Sequence, residues 1–337
     1  MTARSRPEWR LVDLGTCSPV RAVAFAEAAA PFVARGAVPN TLILARTSAP
    51  LISLGFHQSF VEELDPAFLR RQRLPVVRRV EGGGTVYLDG DQLFYQFVYQ
   101  STDEHPGGAS DFAECLRAPI RAVRSLGVPA VRRPPSDVVV GDRKLGGSAG
   151  GEWEGAQILT GDILGRANVR AMADLLRLPH PALRPLLRRE IARRMTSLRL
   201  ETGREPDWVR VKGSFLDAFQ RSGLGRLRAG PPTGAEETTF LAETVPRHSR
   251  RSWRERAPPR RGPSAPLRRI RVAGPHGLMV FDDPEHDRLL VAVLNGSRTT
   301  DAFCVGRGSA LRLRKLRRGE PGYSALIRRA KESGGFE

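Results

Sequence analysis

The run Arg78-Arg79-Val80-Glu81-Gly82-Gly83-Gly84-Thr85-Val86-Tyr87-Leu88-Asp89 constrains this chain more than any other stretch. It reads as a strand that ends on two arginines, turns on three glycines and resumes as a strand. Without a Cβ the loop is free to take positive φ and to turn several N–H groups to one side, which lets an oxyanion approach the main chain closely. The two arginines add planar, permanently charged donors suited to carboxylate or phosphate. A mobile hairpin turn with solvated arginines would use the same residues, so the rest of the chain has to decide.

At 337 residues, 40% hydrophobic and 27% charged, the chain has enough apolar sequence for one large domain and a small one. Met1 to Arg10 carries charge with no apolar run behind it, and the first apolar helix holds Glu27 and ends at Arg35-Gly36. No secretory leader is expected. No uninterrupted apolar run is long enough to span a membrane. Cys17, Cys115 and Cys304 are too scattered for a metal site or a disulfide framework, which points to a reducing cytoplasm. The formal net charge is +18, with about two-thirds of the excess after Pro246. An acidic protein partner fits that charge as well as nucleic acid does, and so does an Arg-rich coding bias with no partner at all.

Ser18-Pro19 marks a helix start, and Ala22, Phe25, Ala29 and Phe32 put one face of that helix in a core until Gly36. Thr41 to Ala45 and Leu51 to Leu54 read as strands joined by a turn, followed by the polar tip Gly55-Phe56-His57-Gln58. Pro75-Val76-Val77 delivers the two arginines to the glycine loop, and Leu93 to Tyr99 is the most strand-like run of all. A helix capped by Ser110 carries Phe112, Cys115, Leu116, Ile120, Val123 and Leu126 at helical spacing, with a kink expected at Pro119. Cys115 on that face reads as a small buried hydrophobe. Ala156 to Leu164 is a further strand, and later helices are expected from Asn168 to Leu178, up to Arg194, and over 206–219 and 236–243. The Arg-, Pro- and Ser-rich stretch 246–266 reads as a linker, with a small antiparallel sheet and a basic tail helix over 267–337.

Ser136-Asp137-Val138-Val139-Val140-Gly141-Asp142-Arg143-Lys144 is a strand, a Gly-Asp turn and a returning strand, a tight hairpin that puts Lys144 just beyond its turn. Leu145-Gly146-Gly147-Ser148-Ala149 follows. Small residues there would let a ligand lie against the backbone, with Lys144 as a mobile point charge for its oxygens. A solvated lysine on an edge strand reads from the same residues.

Arg78-Arg79 with Gly82-Gly83-Gly84-Thr85-Val86-Tyr87 and Asp89, followed by Arg143-Lys144-Leu145-Gly146-Gly147-Ser148-Ala149, resembles the two signatures of lipoate-protein ligases and the related octanoyltransferases, in the same order. Leu54-Gly55 with Gln58, Ser136-Asp137 and Thr196-Ser197-Leu198 are weaker matches that extend the resemblance over residues 10 to 245. The resemblance implies an α+β fold, with a mixed, largely antiparallel sheet flanked by helices, as in the biotin/lipoate protein ligase catalytic domain. It implies a catalytic domain over 1–245, a linker over 246–266 and a small basic domain, of accessory type, over 267–337. Lys144 would be the catalytic residue, holding the carboxyl end of a lipoyl or fatty-acyl chain. Arg78, Arg79, Gly82, Gly83, Gly84, Thr85, Val86, Tyr87, Asp137, Gly147, Ser148 and Ala149 would bind the acyl group or a nucleotide. ATP and Mg2+ would be the cofactors, with Asp137 either a metal ligand or a turn-stabilising acid. Lipoate or octanoate would be the substrate, and a lipoyl carrier domain the partner, an acidic protein or one of the glycine-cleavage H type. Neither a membrane nor nucleic acid is expected as a partner. Three departures accompany these matches: Glu81 where the family has Ser or Thr, Leu88 where it has His, and Thr160-Gly161-Asp162 in place of a His-Gly-Thr or His-Gly-Ser segment.

Two enzymatic routes follow from the resemblance. A ligase would make an acyl adenylate from lipoate or octanoate and ATP, then pass the acyl group to a carrier lysine. An octanoyltransferase would take the acyl group from a carrier thioester through an enzyme cysteine placed shortly before or some way after the motif lysine. No cysteine lies between Cys115 and Cys304, which favours the ligase. The departures motivate a third reading, a member that binds an acyl ligand without catalysis. Removal of 246–337 is expected to leave the first domain folded.

Overall fold

The computed structural model describes residues 7–101, 109–256, 268–273, 276–283, 288–295, 298–306, 313–320 and 322–333. In chain order the strands are β1 (Glu8–Cys17), β2 (Asn40–Thr47), β3 (Leu51–Leu54), β4 (Val76–Arg78), β5 (Val86–Leu88), β6 (Gln92–Gln100), β7 (Val131–Arg133), β8 (Asp137–Val140), β9 (Arg143–Trp153), β10 (Ala156–Leu164) and β11 (Arg226–Ala229). Five more follow: β12 (Arg268–Ala273), β13 (His276–Asp283), β14 (Arg288–Asn295), β15 (Arg298–Gly306) and β16 (Leu313–Lys315).

Eight strands form one sheet in the order β11-β1-β2-β6-β10-β9-β8-β7. β1 runs parallel to β2 and β11, and the other five pairings are antiparallel. This is the mixed, largely antiparallel sheet expected from the sequence. β6 lies inside it and is buried on both faces. Leu93, Tyr95, Phe97 and Tyr99 share a core with Leu42, Leu44, Phe215 and Phe219, which the helix Trp208–Gln220 closes. Val98 joins Val12, Ile43 and Ile158 under Phe25, Ala26 and Val33 of the helix Pro19–Ala34. Each such large side chain taken out of water contributes roughly 1.5–3 kcal/mol, so the two helices hold the sheet from both sides.

β1 is not among the elements expected from the sequence, because Arg10 and Asp13 interrupt its apolar pattern. The structure supplies the missing reason: Arg10 is buried with its Nη1 2.9 Å from Glu236 Oε2 and its Nε 3.2 Å from Thr41 Oγ1. The helix expected to kink at Pro119 instead breaks at Leu116, between Ala109–Cys115 and Arg117–Ser125. Pro119 then falls in a first turn, where a missing N–H costs nothing.

β3, β4 and β5 form a small sheet of order β4-β3-β5, β4 parallel and β5 antiparallel to the central strand. The glycine loop therefore has to pass across the end of β3, at Leu54-Gly55, to get from one side to the other.

Residues 64–71 and 168–195, expected within a 1–245 domain, cluster instead with the strands beyond 267 as a second compact unit. There β12 to β16 make an antiparallel meander. Leu290, Ala292 and Leu294 share a core with Leu326 and Ala330 of the helix Tyr323–Glu332. The helix Leu183–Arg194, with Leu183, Leu186, Leu187 and Ile191 buried, lies against β12 and β13. The expected linker is helical in its first part, over Val245–Ser249 and Arg251–Arg254; its remainder, 257–266, lies outside the described residues. No helix among the described residues is long and apolar enough to cross a membrane.

Candidate active site

Arg78 is fully buried, and its guanidinium donates only to main-chain carbonyls: Gly55 at 3.1 Å, Phe56 at 2.9 Å, Gln58 at 2.7 Å, Arg254 at 2.9 Å and Arg256 at 3.3 Å. Burial, with Arg256 nearby, pulls its pKa down to about 10. Arg79, also buried, donates to the oxygens of Ser53 at 3.2 Å and, through Nη2, to the carbonyls of Gly82 at 2.5 Å and Gly84 at 2.8 Å. These contacts make both arginines anchors of the loop.

In a trans peptide the C=O and N–H point opposite ways. Tying the Gly82 and Gly84 oxygens to Arg79 thus turns the N–H groups of Gly83 and Thr85 away from it. The Gly83 oxygen lies so near Gly55 that a Cβ there would sit 2.1 Å from it, which turns the Gly84 N–H outward too. Gly83 takes φ +82°, open to glycine at little cost. Three successive N–H groups thus face away from the loop's anchors, donors of the kind that suit an oxyanion. Gly82 does not join them: its N–H is bonded to the Gly150 carbonyl at 3.1 Å.

The Lys144 hairpin turns at Gly141 and carries a bulge: Val138 faces Gly146 while Val139 faces Lys144, so Leu145 is the extra residue. Leu145 goes into the core. Lys144 lies back along β9, its Nζ so near Gly147 that a Cβ there would be 2.6 Å away. The ammonium bonds Asp137 Oδ1 at 2.7 Å, and Arg133 Nη2 holds Asp137 Oδ2 at 3.0 Å. Burial alone would raise the Asp137 pKa, but the two cations outweigh it and hold the carboxyl below its ordinary range.

From Gly146 to Gly151, β9 is Gly-Gly-Ser-Ala-Gly-Gly, and alternate residues address opposite faces. On one face a Cβ on Gly151 would meet Glu81 at 3.1 Å, a Cβ on Gly83 would meet Ala149 at 3.2 Å, and Lys144 Nζ covers Gly147. The glycine loop and Lys144 thus come together on one side of β9, over positions roughly 6–7 Å apart along the strand. On the other face Ser148 Oγ meets Tyr95 OH at 3.0 Å, so the Ser148 hydroxyl is turned away from them. Thr85 Oγ1 bonds Gln58 Oε1 at 2.5 Å, and Val86 and Tyr87 pair with Ser53 and Ile52. These three fasten the loop's returning strand.

Glu81 is buried, its Oε2 without a hydrogen bond. Burial pushes its pKa up to about 8, Glu27 adds to the rise and Arg79 opposes it. At neutral pH it is mainly a neutral acid, so it sets no full charge beside the loop. Asp162 is the acid that the sequence reading missed. It was visible only as a lost His-Gly-Thr; the stronger signal was a new acid inside the apolar run Ile158-Leu159-Thr160-Gly161-Asp162-Ile163-Leu164.

Asp137 as a metal ligand does not agree with this geometry, because both its oxygens are taken by cations. Among the described residues no three His, Cys, Asp or Glu side chains converge as a metal site. The three N–H groups and Lys144 do fit a carboxylate or a phosphate. Cys115 is buried in the core, which pushes its thiol well up, and burial raises Cys17 to about 11. At Cys17 burial outweighs the nearby Arg21, so neither thiol has the lowered pKa of a thiolate nucleophile. Cys304 is on β15, in the second unit.

Residues 18–220 match the family model of the lipoyl protein ligase A/B catalytic domain. The octanoyltransferase LipM of Symbiobacterium thermophilum is 29% identical over 252 residues, 68% of this chain and 91% of that protein. A bipartite lipoate protein ligase from Thermoplasma acidophilum, analysed with its E2 lipoyl domain, shares the fold at a TM-score of 0.65 and 22% identity, over 74% of this chain and 96% of that one. A lipoate-protein ligase A bound with ATP shares it at 0.62 and 22%, over 74% and 98%. The matched span is more than half of the chain and contains both the glycine loop and the Lys144 hairpin, and by it the chain belongs to the lipoyl protein ligase A/B catalytic domain family.

Proposed function

We propose that this protein activates lipoate or octanoate with ATP and transfers the acyl group to a lysine of a lipoyl carrier domain. The observation that carries this reading is the convergence of Lys144 and the outward N–H groups of the glycine loop on one face of β9, with no cysteine beside them. Lys144, steered by Asp137, would hold the substrate carboxylate. The N–H groups of Gly83, Gly84 and Thr85 would take the oxygen on which charge builds up as the acyl carbon is attacked, a role worth about 2.7–4 kcal/mol per donor in enzymes that use it. ATP, when bound, supplies the adenylyl group that turns a poor leaving oxygen into a good one. The small residues of β9 would let the acyl chain lie close to the main chain.

A second reading, octanoyl transfer from a carrier thioester without ATP, is favoured by the name of the LipM relative. One experiment separates the two. The protein is incubated with ATP, Mg2+ and lipoate or octanoate, and pyrophosphate release is followed; in parallel it is given an octanoyl carrier protein and a lipoyl domain without ATP. Acid-dependent pyrophosphate release supports the ligase. Transfer from the thioester with no such release replaces it by the octanoyltransferase.

A further inference from the structure

Asp162 lies where the sheet changes partners. The β9–β10 ladder stops at the pair Gly161 and Ser148, and the next residues of β9 pair with β8. One step beyond, a side chain replaces the ladder: Asp162 Oδ1 accepts the Gly147 N–H at 2.9 Å. Gly146 permits this close packing, since a Cβ there would sit 2.1 Å from the Asp162 carbonyl oxygen. The carboxylate is thus seated at Gly147, the residue over which Lys144 Nζ lies. Its second oxygen receives no hydrogen bond from another described residue, and Asp162 as a whole keeps 8% of its surface accessible. The titratable groups that act on it are Lys144 from β9 and Asp137 from β8, and Tyr95 of β6 from the opposite face of the sheet.

A carrier lysine cannot attack an acyl carbon as an ammonium ion, and only about one in 2,500 is neutral at pH 7. A base beside the acyl carbon gives that proton a place to go in the step itself. Asp137 has both oxygens held by cations. The free oxygen of Glu81 is closed off from solvent. Asp162 combines one oxygen fixed by the main chain with one that no other described residue holds.

We infer that Asp162 is the general base that accepts a proton from the incoming lysine ammonium. Asp162 takes one proton from the lysine ammonium, which frees the nitrogen lone pair; the nitrogen–carbon bond then forms and the second N–H proton passes to solvent. The leaving group then departs with the electron pair of its bond to the acyl carbon, and the proton on Asp162 returns to solvent. Leu88 and the missing His of the 160–162 segment take other bases out of the sequence, which makes an acid at this position useful. Burial pushes the Asp162 pKa up to about 6. It is therefore ionised at pH 7 and a stronger base than an ordinary aspartate.

This inference rests on the acyl-transfer reading, with either donor, and its test is built to fail separately. Asp162→Asn keeps an oxygen for the Gly147 N–H, so the fold, read as the thermal midpoint, is expected to hold. Two acceptors are compared in the full-length protein: a lipoyl domain, and hydroxylamine, which is already unprotonated at neutral pH. The variant is expected to lose about 10²–10⁴-fold in kcat for the lipoyl domain, with KM unchanged, and to keep its hydroxylamine capture. The acidic limb of the wild-type transfer profile, near pH 6, is expected to disappear. Wild-type rates in D162N, or equal losses with both acceptors, would overturn the assignment. Wild type inert with both donors would sink the acyl-transfer reading, and this inference with it.

Discussion

Lys144 has a partner on the enzyme, and that partner decides how it can be tested. Lys144→Ala removes the ammonium and leaves Asp137 with Arg133 alone, and acyl transfer is expected to fall about 10²–10³-fold. Equal rates in the variant, by whichever donor assay is positive, would remove Lys144 from the site. Glu81 makes a prediction about stability. Its pKa is raised in the fold, to about 8, above the value a glutamate has in the unfolded chain. The folded state therefore holds a proton that the unfolded state has lost, so stability is greatest below the unfolded pKa and declines as pH rises toward 8. Glu81→Gln cannot lose that proton. Its thermal midpoint is expected to fall less than that of wild type between pH 5 and about 8, and parallel curves would show that Glu81 is not the buried acid responsible.

At the scale of elements, the segment Val245–Ser249 and Arg251–Arg254 is a clasp on the glycine loop. Trp253 Nε1 donates to the Arg78 carbonyl at 3.0 Å, and Arg254 and Arg256 offer carbonyls to the Arg78 guanidinium. Arg247 Nη2 and His248 Nε2 hold the buried Glu27 at 2.6 and 3.0 Å. Removal of 246–337, expected from the sequence alone to leave the first domain folded, would strip these partners at once. Each buried polar group left without one costs about 1–3 kcal/mol, and more if charged. The truncated protein is expected to melt well below full length; an unshifted transition of the remaining domain would show that the clasp is dispensable. Trp253→Phe removes one hydrogen bond and keeps most of the ring packing, so a loss of about 1–2 kcal/mol in urea unfolding is expected, without loss of the fold.

Taken whole, the molecule concentrates its charge: of a net +18, about two-thirds follows Pro246. If an acidic carrier domain is met by that charge, its KM is expected to rise steeply between about 0.02 and 0.2 M salt while kcat stays level, because exposed charges are screened over about 10 Å at 0.1 M. A flat KM would assign the charge to composition instead. Much of the architecture was legible in the sequence. The β9 hairpin, the glycine turn, the helix after Ser18 and the strands around Phe97 each follow from patterns a few residues long, in which side-chain period and turn chemistry act locally. That Lys144 lies just past its hairpin turn followed as well. Other features depend on partners far along the chain: Arg78 meets Arg254, 176 residues away, and Arg10 meets Glu236. Local patterning is silent about such pairs, so β1, the clasp and the second unit's capture of 168–195 emerged only in three dimensions. The sequence by itself determined that a triglycine turn and a hairpin lysine exist. Only the tertiary structure decided that they share a face of β9, that Ser148 turns from it and that Asp162 is seated beneath it, because the order of strands and a single bulge, not the motifs, set where each side chain points.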